Sequence, residues 1–127
     1  MIKNFLIINC IGKDDKLALR INKDFFIYSI KNKKKGDNRL LSEISKFLNL
    51  HSAILNDKFS IIVNQGPGSF SGIRISIAIA KGIEISKKVR LFGYNNSDLK
   101  EFDQENIEKL LDEKLIEKKL IKPVYLS

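Results

Sequence analysis

A strand, a glycine-rich turn and an unusually apolar helix follow one another between residues 59 and 85, and this run constrains the fold most. Phe59–Val63 is typical of a buried strand, and the turn at Gly66–Gly68 follows it directly. After the helix comes another short apolar run, Val89–Tyr94. A strand, a crossover helix and a second strand predict a parallel pair within an α/β sheet.

The first half of the chain predicts an antiparallel meander. Three apolar runs rich in aromatic and β-branched residues, separated by short polar turns, read as strands: Phe5–Cys10, Leu17–Ile21 and Phe25–Ile30. The next periodic segment, Leu40–Leu48, has the spacing of a one-sided amphipathic helix, with Asp37 or Asn38 as its N-cap.

The end of the chain is polar and predicts a charged amphipathic helix over Gln104–Lys119, ended by Pro123. The predicted fold is therefore α/β, with a mixed five-stranded sheet in the order βββαβαβ and a C-terminal helix. We expect residues 1–96 to form the main lobe and residues 97–127 a helical remnant and tail packed on the same domain.

The composition indicates the cellular compartment more clearly than the function. The 127 residues carry a net charge of +8 and one cysteine, Cys10, which cannot form an intramolecular disulfide. No stretch approaches the roughly 20 apolar residues that span a bilayer, so a cytoplasmic protein is predicted. The excess lysine, together with abundant isoleucine and asparagine, is typical of an A/T-biased coding sequence. We therefore discount it as a sign of direct nucleic-acid binding, although weak steering of tRNA by the whole surface stays open.

The helix after the turn has two apolar faces, whereas a surface helix of a one-lobe domain needs one. One broad face comprises Ile75, Ala78, Ile79, Gly82, Ile83 and Ile85, and a second comprises Ile73, Ile77 and Ala80. We expect the second face to contact another helix and to leave an interface for a partner. The alternative is that the C-terminal helix covers this face.

The segment from Asn64 to Ile85 resembles the hallmark of the TsaB (YeaZ) family, usually written GPGSFTGLRIGLATAKGLA. Three shorter stretches add weaker support: Leu6–Cys10, Leu91–Ser97 and Lys122–Leu126. The resemblance implies a single actin-like ATPase (RNase H-like) lobe, with the second lobe of the family largely missing. Asn9 stands where active actin-like ATPases carry an aspartate that helps to hold metal and phosphate.

The resemblance also implies a function. The chain would be a non-catalytic subunit that binds and stabilises a TsaD-type catalytic subunit in the threonylcarbamoylation of adenosine 37 in tRNA. ATP and metal are expected on the partner subunits, with no cofactor on this chain. A TsaE-type ATPase would join the assembly, tRNA would be reached through the complex, and a homodimer through the same helix pair stays open. No membrane contact is expected.

Residues carried over from the family fall into two groups. The expected partner-binding residues lie on the two helices: Leu40, Leu41, Ile44, Ile73, Arg74, Ile77 and Lys81. The motif turn comprises Gly66, Pro67, Gly68, Ser69, Phe70, Ser71 and Gly72. No catalytic or metal-binding set is predicted, and the single histidine, His51, falls at the end of the first helix.

Two other classes of function remain open at this point. Because glycines before a helix N-terminus leave backbone N–H groups free, the Gly66–Gly72 turn could bind a nucleotide or phosphate. The segment has neither the Lys-Ser/Thr pair of a Walker A loop nor the dinucleotide fingerprint. The other class is a stand-alone homodimeric interaction module.

Overall fold

A computed structural model describes residues 3–11, 14–30, 39–67, 71–114 and 116–117. The strands are β1 (Asn4–Asn9), β2 (Asp15–Ile21), β3 (Asp24–Ile30), β4 (Phe59–Asn64), β5 (Arg90–Tyr94) and β6 (Ile116–Glu117). The helices are α1 (Arg39–Leu50), α2 (Ser71–Lys87) and α3 (Gln104–Asp112), with a 3₁₀ turn at Asn96–Asp98. The predicted N-cap at Asp37 or Asn38 and the tail from Pro123 lie outside the described residues.

The strands form one mixed sheet in the order β3-β2-β1-β4-β5-β6. β1, β2 and β3 pair as the predicted antiparallel meander, and β1, β4 and β5 run parallel. The central position of β1 explains its composition, because Phe5 to Ile8 are fully buried and need apolar side chains toward both layers. The α/β class, the mixed sheet and the βββαβαβ order are thus confirmed.

Helices cover both faces of the sheet. α1 and α2 pack on one face with Leu6, Ile8, Ile61 and Val63. α3 packs on the other face, where Ile107 and Leu110 meet side chains that include Phe5 and Tyr94. The C-terminal helix therefore does not cover α2, which answers the alternative raised for the second apolar face of that helix.

The C-terminal helix is shorter than predicted. It begins at Gln104, where Asp103 caps it by accepting the N–H of Asn106 at 2.8 Å, and it ends at Asp112. The prediction of helix through Lys119 is wrong at Ile116–Glu117, which pairs with β5 as a sixth strand. Backbone pairing with Gly93 and Tyr94 outweighs the local helical pattern there. The division into residues 1–96 and 97–127 stays a prediction.

Candidate functional site

The turn after β4 is held by a cluster of asparagine side chains. The Asn64 Nδ2 donates to Asn9 Oδ1 at 2.9 Å and to Asn96 Oδ1 at 3.1 Å. Its Oδ1 accepts the backbone N–H of Gly66 at 2.8 Å, and the Gly66 carbonyl accepts the N–H of Asn96 at 2.7 Å. The ends of β1 and β4 and the segment after β5 are therefore tied together at the start of the motif turn.

Two glycines at this end of the sheet have a structural reason. Gly66 has a φ of 99°, a conformation that side-chain-bearing residues rarely adopt. A Cβ on Gly93 would lie 2.5 Å from the side chain of Gln65, which packs over it. The contacts of Asn64, Gln65 and Gly93 were not predicted from the sequence. An asparagine that ends a fully buried strand was the available signal, because a buried amide needs partners.

The motif turn is described only in part. Gly66 is buried, Pro67 is half-buried, α2 begins at Ser71, and Gly72 is buried. Gly68, Ser69 and Phe70 lie outside the described residues. The first backbone donors of the turn are already engaged, because the Gln65 N–H bonds the Tyr94 carbonyl at 2.9 Å and the Gly66 N–H bonds Asn64.

The faces of α2 are the reverse of the predicted ones. Ile73, Ile77 and Ala80, predicted to face a partner, are buried in the core on the sheet side. Ile79 and Ile83 are half-buried against the same core. The exposed face consists of Ile75, Ala78, Gly82 and Ile85, which we call the outer stripe.

The remaining predicted partner-binding residues divide between core and surface. On α1, Leu40 and Ile44 are buried, whereas Leu41 is 53% exposed. On α2, Arg74 is exposed and Lys81 is half-buried at the border of the outer stripe. The three residues that reach solvent are therefore Leu41, Arg74 and Lys81.

The other chemically capable residues occupy structural positions. His51 stacks on Phe26 with ring centroids 3.7 Å apart, and Cys10 is buried. Burial raises the pKa of Tyr94 above its usual value, so its phenol stays protonated. Among the residues that the structure describes, no group of three His, Cys, Asp or Glu side chains could hold a metal ion. No described helix is long and apolar enough to cross a membrane.

Two curated bacterial proteins match the sequence, each named tRNA threonylcarbamoyladenosine biosynthesis protein TsaB. The protein from Buchnera aphidicola of Schizaphis graminum is 36% identical over 81 residues, which is 62% of this chain and 39% of the relative. The protein from Buchnera aphidicola of Baizongia pistaciae is 44% identical over 46 residues, which is 36% of this chain and 21% of the relative. No protein-family model matches the chain.

Two solved structures of proteins from Pseudomonas aeruginosa share the fold of this chain. One is YeaZ, with a TM-score of 0.64, and the other is an uncharacterised protein with similarity to peptidase YeaZ, with a TM-score of 0.63. Each is 19% identical and matches 73% of this chain, which spans 44% and 43% of their lengths. The chain therefore spans less than half the length of these relatives. The chain is therefore similar in sequence to part of two TsaB proteins, and it shares its fold with part of YeaZ.

Proposed function

We propose that this chain is a non-catalytic TsaB-like subunit that binds and stabilises a TsaD-type protein in the cytoplasm. In this proposal the TsaD-type subunit transfers the threonylcarbamoyl group to adenosine 37 of tRNA. It carries the metal, and a TsaE-type ATPase joins the assembly. The matched relatives support this assignment, because both are named for tRNA threonylcarbamoyladenosine biosynthesis.

The observation that carries the proposal is the outer stripe of α2. Ile75 is 39% exposed and Ile85 is 71% exposed, and Ala78 and Gly82 lie between them on the same side of the helix. A single exposed isoleucine needs no explanation, but an apolar line along three helical turns is typical of a helix that packs on a partner.

Gly82 adds an independent argument for close approach from outside. A Cβ at this position would meet nothing within 4 Å in the described part of the chain, so the described residues give no reason for glycine. Glycine inside a helix is about 1 kcal/mol less favourable than alanine. A partner helix that packs closely against Gly82 explains why this residue is present despite its cost.

Charged and apolar groups beside the outer stripe fit the same partner. Arg74 is exposed next to Ile75, and no ion pair engages it within the described residues. A carboxylate on the partner would complete a charge-assisted pair worth about 1–3 kcal/mol when shielded from water. Leu41 on α1 and Lys81 on α2 extend the exposed surface on the face of the sheet that α1 and α2 cover.

The absence of catalysis is proposed from Asn9. Asn9 stands where active actin-like ATPases place a metal-binding aspartate. Its side chain is a neutral amide, and its Oδ1 accepts a hydrogen bond from Asn64. A neutral amide adds no negative charge to a Mg²⁺ site. The phosphate-binding alternative has less support than the scaffold role, because the Gln65 and Gly66 N–H groups are used inside the protein.

Co-purification with the TsaD-type protein from the same genome tests the proposal. We expect a one-to-one complex with the wild-type chain and its loss with Ile75→Glu or Arg74→Glu. Ile54→Glu is the matched control, because Ile54 is 74% exposed in the loop between α1 and β4. No complex with the wild-type chain, or equal binding by Ile75→Glu and Ile54→Glu, would contradict the proposal.

A further inference from the structure

The strand β3 forms one edge of the sheet with an outer side that no other described strand pairs with. It has seven residues in continuous register with β2, and its one charged residue, Asp24, stands at its start. Proteins usually protect such edges with lysine, proline, a bulge or a very short strand. β3 has none of these features, so its edge is suited to pairing with another strand.

The hairpin register shows which backbone groups point outward. Ile21 pairs with Asp24 across the two-residue turn, and the pair that flanks such a turn exchanges both of its backbone hydrogen bonds. Hydrogen-bonded and non-hydrogen-bonded pairs then alternate along the strand. Phe25, Ile27 and Ser29 therefore direct their N–H and C=O groups away from β2.

We propose that β3 pairs antiparallel with β3 of a second copy of this chain, about a two-fold axis at Ile27. In this register Ile27 faces Ile27 of the second copy, and Phe25 faces Ser29. These are the residues whose backbone groups point outward, so every such group finds a partner. The pairing would join the two sheets edge to edge. It goes beyond the proposed function and does not depend on it.

The side chains between the hydrogen-bonded pairs fit this register. Phe26 would face Tyr28 of the second copy, and cross-strand aromatic pairs are favourable where the strands approach closely. Both rings are already held in place: Phe26 stacks on His51, and Tyr28 stacks on Phe47 with centroids 5.6 Å apart. Little side-chain freedom is therefore lost on association.

The charges and the exposed side chains of β3 also favour a second copy of this chain as its partner. Asp24 would face Ile30, so the paired strands oppose no like charges. Ile27 is 44% exposed and Tyr28 is 38% exposed, and both would lose exposed apolar surface. A two-fold contact is closed, so it yields a dimer rather than a fibre. α2 packs over β1, β4 and β5, which leaves the outer stripe free in this dimer.

Sedimentation velocity on the full chain tests the proposal. We expect a dimer for the wild type and a monomer for Ile27→Lys, because the substitution places two ammonium groups opposite each other. Ile85→Lys is the matched control, since it makes the same change on α2, and it should stay dimeric. A monomeric wild type, or loss of the dimer in Ile85→Lys but not in Ile27→Lys, would overturn the proposal.

Cysteine cross-linking decides the case if Ile27→Lys fails to fold. Residues that face each other in a hydrogen-bonded pair have Cα atoms about 5.5 Å apart, which suits a disulfide. Ile27→Cys should give a covalent dimer under mild oxidation, whereas Ile85→Cys should not. The native Cys10 is 2% exposed and should not contribute. Equal cross-linking of the two variants would refute the predicted register.

Discussion

Replacing Gly82 with alanine should move the stability of the free chain and its affinity for a partner in opposite directions. The free chain should gain about 0.5–1 kcal/mol, because alanine favours the helix and the new methyl group meets no atom of the described residues within 4 Å. In a complex, the same methyl group would crowd a closely packed partner helix. Overpacking typically costs about 1–3 kcal/mol, which weakens binding by about 5- to 150-fold.

Urea unfolding of the free chain and calorimetric titration with the TsaD-type protein measure the two effects of Gly82→Ala separately. Lys109→Ala is the control, because Lys109 is exposed on α3, on the opposite face of the sheet. It should change affinity by less than about twofold, as expected for a surface position away from the contact. A stabilised Gly82→Ala chain that binds as tightly as the wild type would refute the argument for close approach at this glycine.

Three further variants test the interior. Gly93→Ala should lose about 1–3 kcal/mol of unfolding free energy, because its Cβ would lie 2.5 Å from the Gln65 side chain. Adding Gln65→Ala should recover part of this loss, as measured by urea unfolding. A Gly93→Ala chain as stable as the wild type would contradict the clash. Asn64→Ala should lower the unfolding free energy by about 1–3 kcal/mol, because it leaves the buried Gly66 N–H without its acceptor. The control Asn56→Ala, at an exposed turn, should lower it by less than about 0.5 kcal/mol. Equal losses in the two variants would refute the role of the asparagine cluster. Burial raises the pKa of Tyr94 in the folded state, so the unfolding free energy that this residue contributes is fully present below the unfolded-state pKa of about 10 and falls above it by about 1.4 kcal/mol per pH unit. The unfolding free energy of Tyr94→Phe should fall less over the same alkaline range. Parallel plots of unfolding free energy against pH for the two proteins would exclude this cause.

The candidate site was predictable only where local pattern sets structure. The glycine turn and the following helix were located from the sequence. The choice of buried face was wrong because α2 is apolar on both sides, so its helical periodicity favours neither. Contact of α2 with β4, β5 and β1 decides the rotation, and it buries Ile73 and Ile77.

The sequence by itself determined the three-strand meander, the parallel β4–α2–β5 unit and the buried central strand, because each follows from local hydrophobic periodicity and turn residues. Tertiary structure decided three other features. It pairs Ile116 with Tyr94 within a segment that looks helical, and it joins Asn9, Asn64 and Asn96 across three parts of the chain. It also leaves Ile75, Ala78, Gly82 and Ile85 exposed. These features depend on contacts between residues distant in sequence, for which a local pattern carries no signal.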